Sequence, residues 1–209
     1  MASNSDQHIG RVPSPFVPTP AQVADELYYD AMEMLDGSIR AAKQAAPLLL
    51  KALKLDPAYV QTHIGLSHVY GNMKRKEKAR EHILTAYEQT RKEFPKWPKR
   101  MEWGYIDNRA SMRAIQYRAD LHQGDGEREQ AEELYRLLLA LNPNDNQGVR
   151  YTLAGLYAGI SGEEINRMFD EGNEKQDWDA LELLVQEQNK RHHFWKGPKW
   201  TKPRGRRPS

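Results

Sequence analysis

Cysteine is absent from this sequence, and β-branched residues seldom alternate with polar ones; both absences narrow what the chain can be. Without thiols there is no disulfide framework, no thiolate zinc site and no Cys nucleophile, a composition that fits a reducing compartment. No apolar run approaches the roughly 18 residues a membrane helix needs. The opening MASNSDQHIGRVPSP lacks the apolar core of a secretory signal, so a soluble, unexported, cytoplasmic protein is expected. A Gly-rich phosphate loop, a Gly-x-Ser-x-Gly elbow and a His-Glu-x-x-His pair are also missing. His192 and His193 are adjacent, which keeps them off one helical face, and no third ligand stands close to them. Glu163, Glu164, Asp170 and Glu171 form a surface acidic run rather than a recognisable acid–base pair. No catalytic residue, metal or cofactor is therefore expected, and the chain is not read as an enzyme.

What is present is helix-forming material. Ala, Leu, Glu, Lys, Arg and Gln dominate the middle of the chain, and 39% of its 209 residues are hydrophobic, enough for one compact domain or a short repeat array. The net charge of +2 conceals an asymmetry: the stretch from Asn189 to Ser209 holds eight basic residues and no acid, which leaves −6 on the remainder. A mildly acidic body carries a basic tail.

Residues 1–18 are polar, with Pro13, Pro15 and Pro18 among small residues, and are expected to form a disordered arm. Order should begin at Thr19-Pro20-Ala21-Gln22, where Thr19 can cap a helix, Pro20 suits its first position and Gln22 completes a capping box. A second helix should end at Leu55-Asp56-Pro57; Pro47 inside it implies either a start near Ala45 or a kink. A domain over 19–190 and a disordered basic tail over 191–209 complete the expected layout.

From Val60 to Glu88, Leu66, Ser67, Tyr70, Ala79, Ile83 and Ala86 fall where a helix-turn-helix repeat of about 34 residues wants large, small, aromatic, small, bulky and small side chains. The same register returns from Arg113 to Pro143, with Ala119, Gly126, Ala131, Tyr135 and Pro143 in the small, turn, small, aromatic and closing-proline positions. These residues resemble the tetratricopeptide repeat. A first repeat matches only through Ala45, Leu49, Ala52 and Pro57. A fourth, from Asn146 to about Glu174, carries Leu153, Tyr157 and Ser161 with Glu164 as a second capping box. Trp178, Leu181, Leu184 and Val185 lie on one face of a last helix that should cover the end of the array. The expected fold is thus all-α: an α-α superhelix of about four such repeats plus a C-terminal capping helix. Residues 91–108 break the register with an insertion holding Phe94, Trp97, Trp103 and Tyr105, readable as a lid or as packing, the latter favoured.

Tyr28-Tyr29-Asp30-Ala31-Met32-Glu33, Trp103-Gly104, Met112-Arg113-Ala114 and Leu141 through Tyr151 together look like a subgroup of tetratricopeptide-repeat proteins of bacteria and archaea, more distantly similar to the suppression-of-tumorigenicity protein 7 family. That resemblance implies an interaction module without a reaction: a non-enzymatic scaffold that binds a protein or peptide in the concave groove. Projected onto this chain, the groove positions are Gln61, Ile64, His68 and Asn72, then Arg113, Gln116, Asp120 and Gln123, then Gln147, Arg150 and Tyr157. Arg113 and Arg150 could grip a carboxylate or phosphate bidentately. In Asn142-Pro143-Asn144-Asp145-Asn146, turn and cap chemistry is the first reading.

A competing function is nucleic-acid association through the tail. There Lys196, Lys202, Arg204, Arg206 and Arg207 would meet phosphates, while Trp200 and its aromatic neighbours would stack on bases.

Overall fold

The structure, a computed structural model, describes residues 18–197. The N-terminal arm, apart from Pro18, lies outside the described residues, as do Trp200, Lys202, Arg204, Arg206 and Arg207. Nine α-helices and no strand are found within them: α1 (Pro20–Glu33), α2 (Ile39–Leu55), α3 (Val60–Asn72), α4 (Lys76–Glu93), α5 (Ile106–Gly124), α6 (Arg128–Leu141), α7 (Val149–Ala158), α8 (Gly162–Lys175) and α9 (Asp179–His192). Each helix from α1 to α6 packs on the next, and α1, α3 and α5 also touch one another in turn. This two-layer stacking of helical hairpins is a solenoid: each hairpin buries its apolar face on its neighbour.

Local sequence sets the helix ends. Thr19 accepts from the Gln22 amide while the Gln22 side chain accepts from the Thr19 amide, the reciprocal box that starts α1. At α8 only half of the box forms: Ser161 Oγ accepts from the Glu164 amide, and the Glu164 carboxylate turns to Arg167. Helix α2 runs from Ile39 through Pro47 to Leu55, so of the two alternatives for Pro47 the start near Ala45 does not hold. Pro47 lies on the solvent side of the helix, where water can take the carbonyl that its missing N–H leaves free.

The contacts between layers follow residue size. Gly65 of α3 lies so close to Leu49 and Tyr28 that an added Cβ would stand 3.1–3.3 Å from them, and Ala42 and Ala45 are fully buried beside them. Ala86, Ala110 and Ala114 do the same between α3, α4 and α5. The largest cluster joins α5, α6, α7 and α9 around Met112, Ile115, Tyr135, Leu138, Leu153 and Leu181. There α9 caps the array by packing back on α7, a broader contact than α8 makes with either.

The insertion between α4 and α5 packs down. Met101 is buried and its amide donates to the Leu141 carbonyl across 2.9 Å; Arg100 reaches the neighbouring Ala140 carbonyl. Trp97 and Trp103 are half-buried against the same cluster, while Tyr105 stays 64% exposed. At the other end, order continues past the expected limit at Lys190. Phe194 is buried, Asn189 makes two side-chain bonds of 2.9 Å to the Trp195 backbone, and Trp195 Nε1 donates to the Pro143 carbonyl at 3.0 Å. Thus Phe194 and Trp195, expected in the tail, belong to the folded body.

Candidate partner groove

Helix α5 carries the centre of the site. Its open face presents Arg109, Arg113, Gln116 with its neighbour Tyr117, Asp120 and Gln123, in steps of three to four residues apart from that adjacent pair, as one helical face requires. On one side, between α3, α4 and α5, lies a cavity of about 350 Å³ lined by Ser67, His68, Gly71, Asn72, Ile83 and Tyr117. His68 Nε2 and the Tyr117 hydroxyl meet at 2.9 Å across it and join the two helices. On the other side a cavity of about 680 Å³ opens between α5, α7 and α8, bounded among others by Gln116, Asp120, Gln123, Thr152, Leu156 and Glu163.

The projected groove residues divide into three groups. His68, Asn72, Gln116, Asp120 and Gln123 line these two cavities, Arg113 stands one helical turn before Tyr117 on α5, and Gln147 joins them by donating to Gln116 Oε1 at 2.6 Å. Gln61 is buried and occupied with the Tyr59 hydroxyl at 3.0 Å; Ile64 is core.

The third group, Arg150 and Tyr157, is expected in the groove and is found on the other side of α7. Arg150 pairs with Asp145 at 3.0 Å and with Glu182 of α9 at 2.8 Å, and its guanidinium lies between the Tyr151 and Trp195 rings. Tyr157 donates to Glu132 of α6 at 2.6 Å and stacks on His192. The rotation of α7 is the reason. Asp145, itself buried with φ near 50°, accepts from the amides of Val149 and Arg150, and left-handed Gly148 starts the helix, which turns Thr152 and Leu156 toward the cavity instead. Asp145 is thus the cap that the turn chemistry implied.

The electrostatics of the α5 face follow from what lacks a partner. Among the described residues no carboxylate forms an ion pair with Arg113, and no cation forms one with Asp120. Arg113 lies over the Trp103 ring, 5.6 Å from its centre, and Arg109 stacks on the same ring at 5.3 Å while donating to the Trp103 carbonyl. Burial pushes His68 below its usual range, and the Arg113 charge pushes it the same way. Burial also raises the Tyr117 and Tyr28 hydroxyls, with Arg113 opposing in both cases. Asp120 keeps an exposed edge toward its cavity, and this edge decides what can reach it. Protein crowds the rest of the group, and that desolvation pushes its carboxyl up to about 6 against a hydrogen bond from Tyr135. The Tyr135 hydroxyl lies 2.7 Å from Asp120 Oδ1 and 2.8 Å from the Gln123 side chain. The Gln123 atom is Oε1, so both neighbours are acceptors and the hydroxyl directs its one proton between them.

Sequence reasoning passed over Tyr117, Thr152 and Leu156 as groove residues. Tyr117 was within reach, since it lies one helical turn beyond Arg113 on the same face. Thr152 and Leu156 required the rotation of α7, which the turn at Asp145 and Gly148 and the contact with α9 impose.

The family model of the tetratricopeptide repeat matches residues 60–92, which covers α3 and nearly all of α4. No curated protein and no solved structure matches the chain. Residues 60–92 are thus similar to a tetratricopeptide repeat and lie, among the described residues, within a helical solenoid; such repeats form non-enzymatic scaffolds that generally mediate protein–protein interaction. Among the described residues no helix is long and apolar enough to cross a membrane.

Proposed function

We propose that this protein is a non-enzymatic interaction scaffold that receives a peptide or partner protein on the concave side, across α3 and α5 and up to the edge of α7. The observation that carries this reading is the α5 face itself: polar, adaptable side chains between two cavities of about 350 and 680 Å³, bridged to α3 by His68 and Tyr117. The resemblance to the bacterial and archaeal subgroup adds the same expectation and rests on its motifs alone. Affinity purification followed by mass spectrometry, run in parallel on wild type, Arg113→Ala, Tyr117→Ala and the exposed control Lys92→Ala, tests it. Partners retained by Lys92→Ala and lost by the two groove variants are the expected result. Retention of every partner by all four proteins would mean that the concave side is not the binding surface.

The nucleic-acid reading loses two of its aromatics, because Phe194 and Trp195 are committed to the core and to Arg150. What remains in its support is the run of basic residues with Trp200.

A further inference from the structure

Arg113 and Asp120 stand on one face of one helix, seven positions apart, which is two turns or about 10.5 Å of rise. Each is a charge without a counter-ion in the described residues, and the two are of opposite sign. Their surroundings differ accordingly. Arg113 has Trp103 against its guanidinium and Tyr28, His68 and Tyr117 in its field, while Asp25 of α1 accepts from the Tyr59 hydroxyl. Arg109 adds a second cation on the same Trp103 ring.

Asp120 opens into the larger cavity. Oδ1 shares the Tyr135 proton with Gln123 Oε1, while Oδ2 accepts no hydrogen bond from the described residues. Glu163 lines the same cavity, and the one arginine there, Arg128, is exposed and makes no ion pair with either. Nothing about helix stability calls for this arrangement. A carboxylate one turn from the C-terminal end of a helix opposes the helix dipole, and its crowding raises the cost of the charge.

We infer that the groove takes an extended peptide segment carrying one acidic and one basic residue, the acid on Arg113 and the base in the Asp120 cavity. This deepens the groove reading and rests on it. An extended chain in the polyproline II conformation advances about 3.1 Å per residue and returns to the same face every third residue, so a spacing of about 10.5 Å corresponds to residues three apart, such as Glu-x-x-Arg or its reverse. A Lys or Arg side chain entering the cavity would supply the missing counter-ion to Asp120, and a carboxylate would receive the paired donors of Arg113. Two opposite charges also fix the direction of the bound segment, because the reversed peptide places like charges together.

The test uses the full chain probed against an array of short peptides of random sequence. Bound peptides should be enriched in acid–base pairs three residues apart, in one order. Arg113→Gln should abolish the acidic preference and keep the basic one, Asp120→Asn should do the converse, and Arg113→Lys should restore the acidic preference. Each neutral variant should weaken a selected peptide by about tenfold. The basic tail is common to all these proteins, so differences between them belong to the groove. Peptides bound without the spaced pair, or with a preference that survives both neutral variants, would overturn the inference while leaving the partner-capture experiment to judge the groove. An array on which no peptide binds would also overturn it, whatever partners are captured.

Discussion

Arg150 and Asp145 close the turn before α7 on itself. The guanidinium donates to Asp145 Oδ2 at 3.0 Å, and the same carboxylate accepts from the first amides of the helix. The carboxylate side chain is 1% exposed, and burial raises its pKa despite the Arg150 bonds that oppose the shift. Removing the arginine would leave that buried group uncompensated. Arg150→Ala should therefore destabilise the fold by about 3 kcal/mol. Arg150→Lys should recover only part, because one ammonium cannot span Asp145 and Glu182 while stacking between two rings. Urea denaturation measures both. Under conditions where Arg150→Ala remains folded, its captured partners should match wild type, whereas Arg113→Ala should lose partners at nearly unchanged stability. The reverse pattern would return Arg150 to the groove.

This pair also marks where the sequence stops being sufficient. Thr19 with Gln22 and the spacing of Leu66, Tyr70 and Ala86 could be read directly, because caps and the helical period act within a few residues. The faces of α3 and α5 follow from the same period. The face of α7 does not, since its rotation depends on Asp145, on left-handed Gly148 and on a glutamate 32 residues further along the chain. Arg113 and Arg150 look equivalent by repeat register, yet among the described residues the first pairs with no acid and the second with two.

Gly155 sits where α7 meets α8, and a Cβ there would lie 2.5 Å from Ile165 Cγ1 and 2.6 Å from Cδ1. Ile165 is buried and branched at Cβ, so it has little room to yield. Alanine gains about 1 kcal/mol in helix propensity. The overpacking costs about 1–3 kcal/mol, so Gly155→Ala should come out net destabilising by about 1 kcal/mol. Thermal unfolding shows the sign. An increase in stability would mean that α8 shifts freely, and the cavity bounded by α5, α7 and α8 would then be adjustable.

His63 and His82 meet Nδ1 to Nδ1 at 3.0 Å, and His63 Nε2 lies 3.1 Å from the Pro57 carbonyl. A carbonyl can only accept, so His63 Nε2 carries a proton; its Nδ1 then accepts from His82. Burial first, and then the neighbouring His63 and Lys78, depress the His82 pKa, with Glu81 opposing. A depressed histidine binds fewer protons folded than unfolded, so stability is lost as pH falls below the ordinary value of 6.5 and levels off below the folded pKa. His68, depressed by burial and Arg113, acts in the same direction. His82→Asn should flatten the loss of urea stability as pH falls from about 7.5 to about 5. An unchanged slope would assign the acid sensitivity to other groups.

Asp120 should show the opposite sign. Its folded pKa of about 6 lies above the usual 3.8, so the folded chain holds the proton more tightly, and stability is lost as pH rises through about 6. Asp120→Asn keeps an acceptor for Tyr135 and removes the charge. The variant should therefore be more stable than wild type above about pH 7, with the difference vanishing below about pH 4. Paired melting curves across that range provide the check. A carboxylate that costs stability at neutral pH is the pattern of a residue kept for a ligand, and equal stability at every pH would remove that support.

The C-terminal segment carries packed aromatics before Gly197 and most of its basic residues after it, and the point of truncation decides which is tested. A cut after Asn189 removes Phe194, buried against Tyr157, and Trp195, which covers Arg150 and bonds Pro143. It should destabilise the body by about 3 kcal/mol or more, the scale of one buried aromatic. A cut after Gly197 removes five of the eight basic residues and leaves those contacts in place. Single-stranded nucleic-acid binding at low salt, compared between full-length protein and the second truncation alone, then isolates the charge. Affinity that falls steeply with salt and disappears with the second cut would place a nucleic-acid contact beyond Gly197; equal affinity, or none, would leave the concave groove as the chain's binding surface.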